Sequence, residues 1–232
     1  MKTYWEIPGP SKSPQSPCIA FYKYDGFNFR AEWSRKRGWY KFGTRRVMLD
    51  ESSKQFGPSI PLFLNTYGDS LPKIFKSDKM FKGVQKFIVF CEVYSDNGFA
   101  GWFPQANGKL EPKFPTGEPA KIKLIDVNPH KKGIMLPRDF VNVFGDLGAK
   151  VVYEGNFSRQ FIQDVQDGKI VHEGEGIVAK GVILGKKSNS QHGLWMAKAK
   201  TAWWMAKLKN LAQTNEEFRS ALADNVREQS DA

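Results

Sequence analysis

CIAFYKYDGFNFRAEW, residues 18–33, combines an apolar and aromatic pattern typical of β-strands with a lysine two positions before an Asp-Gly pair. This residue, Lys23, is flanked by Phe21, Tyr22 and Phe27. Burying an unpaired ammonium among such side chains costs several kcal/mol. We therefore expect Lys23 to be paired, exposed on one face of a strand, or used in chemistry.

The sequence around this stretch predicts antiparallel strands. Residues 19–34 and 38–49 flank RKRG, with Gly38 placed in the turn of a β-hairpin. In the last predicted strand, Met196, Lys198 and Lys200 alternate onto one face. Further strands are predicted for VQKFIVFCEVYS (84–95), AKIKLIDV (120–127), GIVAKGVILG (176–185) and GLWMAKAKT (193–201).

Helical periodicity separates these strands and gives an α+β class. Two short helices are expected to end at Gly148 and Gly168, and the second begins with Asn156 or Ser158 as its cap. The segments with helical patterns are IPLFLNTYGDSLPKIFKSDKMF (60–81), LPRDFVNVFGDLG (136–148), FSRQFIQDVQDGK (157–169) and AWWMAKLKNLAQTNEEFRSALADNVREQ (202–229).

Composition suggests three parts of the chain. PGPSKSPQSP, residues 8–17, is biased enough to predict that residues 1–17 are a flexible lead-in. The main domain is predicted over 18–202, and a helical C-terminal appendage over 203–232. The 32 residues after Lys200 have a helical pattern, so no oligonucleotide-binding barrel of short strands is expected.

Charge and cysteine content narrow the function classes. The net charge of +11 suits a polyanionic partner such as nucleic acid, because lysine and arginine gain from releasing counterions. Two cysteines and three scattered histidines indicate neither a disulfide framework nor a zinc site. No apolar run approaches the roughly 18–20 residues of a membrane span, and no signal peptide is evident, so a cytoplasmic protein without membrane contact is expected.

Four short motifs occur in one order. They are KYDG at 23–26, the strand IVFCEVY with Glu92, EGIVAK at 175–180, and KAK at 198–200. This order resembles the covalent nucleotidyltransferases, in particular the ATP-dependent RNA ligases of phage type, whose motifs are K-x-D-G, F-x-G-E, E-G-x-V-x-K and K-x-K. The resemblance covers residues 23–200 and implies an α+β, ATP-grasp-like ligase domain built on antiparallel sheets.

The resemblance implies that Lys23 is the nucleophile that takes AMP from ATP. Lys198 and Lys200 are implied as catalytic groups on the α-phosphate, because K-x-K on a strand aims both amines at one face. Their charges and an apolar pocket are expected to lower the proton affinity of Lys23. Glu175 is implied as the metal ligand, with magnesium expected and manganese as the alternative.

The nucleotide-binding residues follow from the same resemblance. Glu92 matches the glutamate on the ribose hydroxyls, although Cys91 replaces the usual glycine before it. Asn28 occupies a position where the phage-type RNA ligases carry asparagine. Arg45 resembles the arginine that steadies the phosphates, with Arg30 and Arg46 left as alternatives.

Adenine recognition is predicted from aliphatic residues. Val178 is implied to pack on one face of the base, and Ile125 takes the place of the usual aromatic residue on the other face. The remaining residues implied at the nucleotide lie in the KYDG and EGIVAK motifs or beside them: Tyr22, Asp25, Gly26 and Lys180. A phosphate-loop look-alike, GVILGKKS at 181–188, has three residues between its glycines instead of four and is interpreted as a turn.

The predicted function is an ATP-dependent RNA ligase that joins 5′-phosphate and 3′-hydroxyl ends. The alternatives are a minimal DNA nick ligase and a catalytically silent RNA-binding module of the same fold. RNA ends are the expected partner, with a DNA nick as the alternative, and a monomer is expected. For a phage-encoded enzyme of RNA repair, the location would be the host cytoplasm.

Overall fold

Strands and helices follow one another along the chain in an α+β order. The computed structural model describes residues 1–53, 56–96, 102–104, 110–112, 119–183 and 193–214. The strands in these ranges are β1 (Pro17–Lys23), β2 (Gly26–Ser34), β3 (Gly38–Thr44), β4 (Met48–Leu49), β5 (Lys86–Tyr94), β6 (Trp102–Pro104), β7 (Leu110–Pro112), β8 (Lys121–Pro129), β9 (Val151–Asn156), β10 (Gly176–Val182) and β11 (Leu194–Lys200). The helices are α1 (Ser59–Tyr67), α2 (Ser70–Ser77), α3 (Pro137–Phe144), α4 (Arg159–Gln166) and α5 (Ala202–Thr214).

Two antiparallel sheets form the framework. The first sheet has the strand order β11-β10-β1-β9, and the second has the order β4-β3-β2-β5-β8. Strands β6 and β7 pair only with each other within the described part of the chain. The strands in these ranges close no barrel, and the predicted α+β class with antiparallel sheets is confirmed.

The stretch 18–33 contributes to both sheets. Strand β1 pairs with β9 and β10, whereas β2 pairs with β3 and β5. Only Tyr24 and Asp25 lie between β1 and β2, so the chain passes from one sheet to the other directly after Lys23. The predicted single strand is therefore two strands, divided at Tyr24 and Asp25, where the Asp-Gly pair interrupts the apolar pattern. The predicted hairpin of β2 and β3 is present, with Gly38 at φ +69° in its turn.

Aromatic side chains fill the core between the second sheet and helices α1 to α3. Phe27 and Phe29 alternate along β2 toward this core and are buried. Phe75 of α2 stacks on Phe87 of β5 with ring centroids 4.0 Å apart. Each such side chain stabilises the fold by about 1.5–3 kcal/mol when it leaves water. This face of the second sheet is thereby closed to ligands.

The first sheet buries one face against α4, where Phe161 and Val165 pack with Ile177. The other faces of the two sheets meet in a third cluster that joins Phe90 of the second sheet to Met196 of the first. Polar side chains on these two inner faces line the space between the sheets. We call this space the crevice; it has Lys23, Val178, Lys198 and Lys200 on the first sheet and Asn28 and Glu92 on the second.

Two helix boundaries are decided by caps. Helix α3 ends before Gly145, which adopts φ +46°, so the predicted end at Gly148 is three residues too late. Gly148 has an extended backbone and follows a short 3₁₀ turn. At the start of α4 the Ser158 hydroxyl accepts a hydrogen bond from the Phe161 amide at 3.1 Å. Ser158 rather than Asn156 is therefore the cap of this helix.

Strands β6, β7 and β9 were not predicted, and one predicted segment extends beyond the described residues. Strand β9, with the sequence VVYEGN, lies at an edge of the first sheet and is partly exposed on both faces, so it lacks the alternation that marks a strand. Strand β10 ends at Val182. Residues 184–192, which include most of the predicted turn at 181–188, lie outside the described residues.

The first residues of the chain contact both sheets. Tyr4 is buried, the Met1 carbonyl accepts a hydrogen bond from Arg30 Nη1 at 3.0 Å, and the Pro8 carbonyl accepts one from the Lys198 amide at 2.9 Å. These contacts hold residues 1–8 in place, which the composition of the predicted lead-in did not indicate.

Helix α5 begins directly after β11 and belongs to the core at its first turn. The Thr201 hydroxyl accepts a hydrogen bond from the Trp204 amide at 3.1 Å and donates one to the Gly174 carbonyl at 2.6 Å. Trp204 is buried and Trp203 is exposed. No described helix is both long enough and apolar enough to cross a membrane.

Candidate active site

Glu175 holds the two lysines that the motifs single out. Its Oε2 lies 2.6 Å from Lys23 Nζ, and its Oε1 lies 3.1 Å from Lys200 Nζ. The Glu175 side chain is only 6% exposed, whereas 20% of Lys23 remains accessible. Three residues predicted from separate motifs therefore meet in one cluster, and part of the Lys23 side chain is exposed to solvent.

Strand register produces this cluster. Lys23 of β1 lies opposite Gly176 of β10, which in turn lies opposite Lys200 of β11. Gly176 has φ +143°, and a side chain there would place its Cβ 2.0 Å from the Ala199 carbonyl oxygen. The glycine after Glu175 is therefore required, because it lets β10 and β11 approach closely at the site.

The carboxylates around Lys23 determine its protonation. Burial lowers the pKa of Lys23, but Glu175, Glu92 and Asp25 together outweigh that effect and raise the pKa. The predicted lowering of the Lys23 proton affinity is therefore absent from this arrangement. Burial also raises the pKa of Glu175, but Lys23 and Lys200 reverse this and the pKa is lowered. The cluster is an ammonium–carboxylate–ammonium network.

Lys198 lies in the next row of the same inner face, opposite Val178. Burial lowers the pKa of Lys198, and the charges of Lys200 and Lys23 lower it further. Lys198 and Lys200 project to the same side of β11, as their alternation predicted. Three amines thus converge at one end of the crevice, where an anionic group would be stabilised.

Glu92 and Asn28 face the cluster from the second sheet, where they are directly opposite each other on β5 and β2. Burial, with a contribution from Glu175, raises the pKa of Glu92 to about 8 even though Lys23 opposes the shift. The Asn28 Nδ2 donates to the Cys91 carbonyl at 3.3 Å, and its Oδ1 is buried with no partner among the described residues. These acceptors fit the hydroxyl groups of a ribose.

The side chain of Cys91 does not enter the site. It is fully buried in the aromatic core on the opposite face of β5. The departure from the glycine of the family motif therefore leaves the crevice face at Glu92 unchanged.

The three candidate arginines differ in their surroundings. Arg30 is buried and donates to the Met1 carbonyl, while its Nε has no partner among the described residues. Arg45 is exposed, and its charge lowers the pKa of Glu92. Its Nη2 lies 3.5 Å from the Trp5 carbonyl oxygen. Arg46 is exposed on the following turn. Arg45 is thus the candidate whose charge reaches the crevice.

The residues predicted at the base lie further along the crevice. Val178 is half-buried between Phe21 of β1 and Lys198 of β11. Ile125 is half-buried at the bulge where β8 shifts register against β5. Its carbonyl accepts a hydrogen bond from Lys180 Nζ at 2.8 Å. Val178 and Ile125 thus lie on different sheets, and their contact with a base stays a prediction.

Lys180 does not join the cluster of Lys23, Glu175 and Lys200. Its Nζ lies 2.6 Å from Asp126 Oδ2, and both side chains are almost completely buried. The same Oδ2 accepts a short hydrogen bond from the Tyr4 hydroxyl. Burial lowers the pKa of Lys180, and Asp126 opposes that change. The predicted nucleotide ligand is therefore engaged in a buried ion pair that joins the two sheets.

The remaining predicted residues surround the junction of β1 and β2. Tyr22 lies on the face opposite Lys23, and its ring centroid is 5.0 Å from that of Tyr24. Asp25 Oδ2 accepts a hydrogen bond from Trp204 Nε1 at 2.9 Å. A Cβ on Gly26 would lie 1.9 Å from the Val93 carbonyl oxygen, so glycine is required by the neighbouring strand.

Three residues at the site were not predicted from the sequence: Tyr4, Asp126 and Trp204. Trp204 contacts two predicted residues, because its ring centroid also lies 3.7 Å from Lys200 Nζ. Its position at the start of a helix beside β11 was the only available signal. Nothing in the sequence around Tyr4 marked it, because its partner is 122 positions away.

The donor set fits a metal ion held mainly by a nucleotide. No group of three or more histidine, cysteine, aspartate or glutamate side chains gathers within the described ranges to form a metal site. Glu175 is the predicted protein ligand, and its oxygens now bond to lysines. Magnesium retains water and binds through one or two carboxylates plus phosphates, so one glutamate is compatible with this mode.

Comparison with known proteins identifies the fold. The sequence matches no protein-family model and no curated protein sequence. Solved structures of the Naegleria gruberi RNA ligase are similar: an apo mutant aligns with a TM-score of 0.60 at 10% identity. The ligase with PPi aligns with a TM-score of 0.58 at 12% identity. A further mutant, with ATP and Mn, aligns with a TM-score of 0.58 at 11% identity.

These alignments cover most of this chain but only part of the ligase. The apo mutant and the form with PPi each match 90% of this chain and 58% of the ligase chain, and the form with ATP and Mn matches 88% and 58%. The chain therefore spans less than two thirds of the length of the ligase. The fold of the present chain is that of the part of the Naegleria gruberi RNA ligase with which it aligns.

Proposed function

We propose that this protein is an ATP-dependent RNA ligase that seals 5′-phosphate to 3′-hydroxyl ends through a lysyl-AMP intermediate. The observation that carries the proposal is the cluster in which Glu175 joins Lys23 and Lys200. The cluster lies at one end of a crevice in an RNA ligase fold. The three residues of the cluster come from three of the four motifs. A purely structural ion pair would not require that all four motifs occur in the order of the family.

The first step is nucleophilic attack by Lys23 on the α-phosphorus of ATP. The Nζ–P bond forms, the bond to the β-phosphate oxygen breaks, and pyrophosphate leaves. Glu175 Oε2, 2.6 Å from the amine, is in place to accept the proton that Lys23 loses. Lys198 and Lys200 stabilise the negative charge that spreads over the phosphate oxygens.

The remaining groups of the crevice orient the nucleotide. Glu92 and Asn28 accept hydrogen bonds from the ribose hydroxyls, and Val178 packs on the base. Arg45 supports the phosphates. When bound, magnesium would add charge stabilisation at the phosphates, with Glu175 as its protein ligand and manganese as a substitute.

The later steps transfer AMP to the strand. A 5′-phosphate oxygen attacks the phosphorus of lysyl-AMP and frees Lys23, which gives an adenylated 5′ end. The 3′-hydroxyl of the other RNA end then attacks the phosphorus that belonged to the 5′-phosphate, not that of AMP. The phosphodiester bond forms and AMP leaves. We propose RNA as the substrate for two reasons. Asn28 occupies the position where phage-type RNA ligases carry asparagine, and the fold is similar to that of an RNA ligase. We further propose a monomer that acts in the cytoplasm, or in the host cytoplasm if the protein is of phage origin.

The test is self-labelling with α-labelled ATP and magnesium, with labelled GTP in parallel. We expect an acid-labile, alkali-stable label from ATP on the parent and on Lys41→Ala, a control at an exposed strand lysine. Lys23→Ala should take no label while it keeps the parent circular dichroism spectrum. Label from GTP alone, or labelling of Lys23→Ala, would refute the proposal, and a preference for nicked DNA over nicked RNA would assign the DNA ligase alternative.

A further inference from the structure

A pocket opens beside the reactive cluster on the side away from the crevice. It has a volume of about 320 Å³ and lies between the junction of β1 and β2 and the start of α5. We call it the tyrosine pocket; its aromatic and basic lining consists of Tyr22, Tyr24, Tyr94, Trp203, Trp204, Lys150 and Lys207. Its volume is at the lower end of the roughly 300–1,000 Å³ of small-ligand sites, which suits a single nucleotide.

The pocket adjoins the groups that carry the chemistry. Asp25 and Glu175 also line it, and Glu175 bonds directly to Lys23. Glu92, Val178 and Lys198, which are proposed to bind ATP, do not line it, whereas Tyr22 and Asp25, which the resemblance implied at the nucleotide, do. A ligand in the tyrosine pocket would lie next to lysyl-AMP, apart from the groups proposed to hold its ribose and base.

Aromatic rings are concentrated in the lining of the tyrosine pocket. The ring of Tyr24 lies 5.0 Å from that of Tyr22 and 4.7 Å from that of Tyr94. Trp203 is 41% exposed, and Lys207 Nζ lies 5.1 Å from its ring centroid. Exposed aromatic rings combined with lysines are the usual platform for bases of single-stranded nucleic acid.

The charges in the pocket are compatible with a phosphate. Burial raises the pKa of Tyr94 to about 12 and that of Tyr22 also upward, so both hydroxyls stay neutral and able to donate. Three of the four acidic residues that line the pocket are engaged by cations or by an indole N–H: Glu175 with Lys23 and Lys200, Asp96 with Lys121 at 2.6 Å, and Asp25 with Trp204. Lys150 and Lys207 therefore supply positive charge at the pocket.

We propose that the tyrosine pocket binds the terminal nucleotide of the RNA strand that receives AMP. The base stacks on Trp203 and the tyrosine rings, and the phosphates lie near Lys150 and Lys207. The proposal rests on the proposed function, because it assigns the second substrate of the same site.

The test separates RNA binding from reaction with ATP. The variants are Trp203→Ala and Lys207→Ala, with Met205→Ala and Lys209→Ala as controls at exposed positions of the same helix outside the pocket. Self-labelling by ATP should be unchanged in all four. The KM for a short 5′-phosphorylated oligoribonucleotide should rise about tenfold in Trp203→Ala and severalfold in Lys207→Ala, with both controls near the parent, since stacking contributes about 1–3 kcal/mol per base.

Fluorescence anisotropy of the same labelled oligoribonucleotide provides the second measurement and does not need turnover. Weaker binding by the two pocket variants supports the proposal even if the parent takes no label from ATP, a result that would refute only the proposed function. An unchanged KM and unchanged anisotropy would overturn the pocket assignment. An equal loss of self-labelling in Trp203→Ala would overturn it too, because the pocket would then belong to the ATP site.

Comparison with a 5′-hydroxyl oligonucleotide shows whether the phosphate is recognised: equal binding would overturn the assignment to the 5′ end.

Discussion

The indole of Trp204 donates a hydrogen bond to Asp25 at 2.9 Å across 179 positions of sequence. The same ring lies 3.7 Å from the amine of Lys200. One side chain of α5 thus contacts both the aspartate of the first motif and a lysine of the last. Trp204 is a positioning residue in this arrangement, since it acts through Asp25 and Lys200.

Trp204→Phe should slow self-labelling about tenfold and leave the KM for ATP near the parent value. Phenylalanine keeps a ring over Lys200 but cannot donate to Asp25, and a hydrogen bond to a charged group contributes about 1.5–3 kcal/mol. Rates of label transfer at several ATP concentrations separate kcat from KM. Trp203→Phe is the matched control and should label at the parent rate; equal rates in both variants would remove Trp204 from the machinery.

Glu175→Gln should abolish self-labelling and lower the free energy of unfolding by about 3 kcal/mol. The change leaves Lys23 and Lys200 close together without their shared carboxylate, and breaking a buried ion pair costs about 3–5 kcal/mol. Urea unfolding and labelling over a range of magnesium concentrations measure the two effects. As a control, Glu154→Gln removes the exposed pair with Arg138 and should cost less than about 1 kcal/mol. Labelling of Glu175→Gln at parent levels would contradict the proposed roles of Glu175 as proton acceptor and metal ligand.

Asp126→Asn should destabilise the protein without a matching rise in the KM for ATP. Lys180 would lose its carboxylate partner in a place where both side chains are almost fully buried. Tyr4→Phe removes only one hydrogen bond to the same carboxylate and should cost about 1 kcal/mol. Denaturant unfolding gives the stabilities. If Lys180 instead binds the nucleotide, Asp126→Asn would change the KM for ATP while stability stays close to that of the parent.

Glu92→Gln should make the ligand-free protein more stable than the parent at alkaline pH. The folded-state pKa of Glu92, raised by burial to about 8, exceeds its unfolded value. Ionisation therefore favours the unfolded state, and this destabilisation grows as the pH rises from about 4.5 to 8 and is complete above pH 8. Thermal unfolding of both proteins should be measured from about pH 4 to about pH 9, which brackets that window. The difference in stability between Glu92→Gln and the parent should increase as the pH rises. A constant difference in stability would indicate that Glu92 does not titrate in this range.

The sequence indicated the strands that carry the motifs, and alternation predicted that Lys198 and Lys200 share one face of β11. That Lys23, Glu175 and Lys200 belong to one site was implied by the resemblance of the motifs and by no periodicity. The strand prediction did not separate β1 from β2, because apolar residues flank Asp25 and Gly26 on both sides and this pair was interpreted as part of one strand although Asp-Gly is also a common turn signal.

Other features depended on contacts that no local pattern records. Lys180 has the spacing of a nucleotide ligand, but Asp126 on the other sheet engages it. The raised pKa of Lys23 arises from three carboxylates brought together by folding. Tyr4 and Trp204 reach the site from segments whose composition suggested a lead-in and an appendage.

The cluster of Lys23 and Glu175 joins residues 152 positions apart, and the contact of Asp25 with Trp204 spans still more of the chain. Contacts of such long range form slowly in folding, because a large loop must close before they can contribute. Lys23, the proposed nucleophile, thus meets Glu175 only after distant parts of the polypeptide have come together. If Lys23 takes AMP as proposed, uptake of labelled AMP during refolding would report when this contact forms, and a chain that has not formed it would be unable to consume ATP.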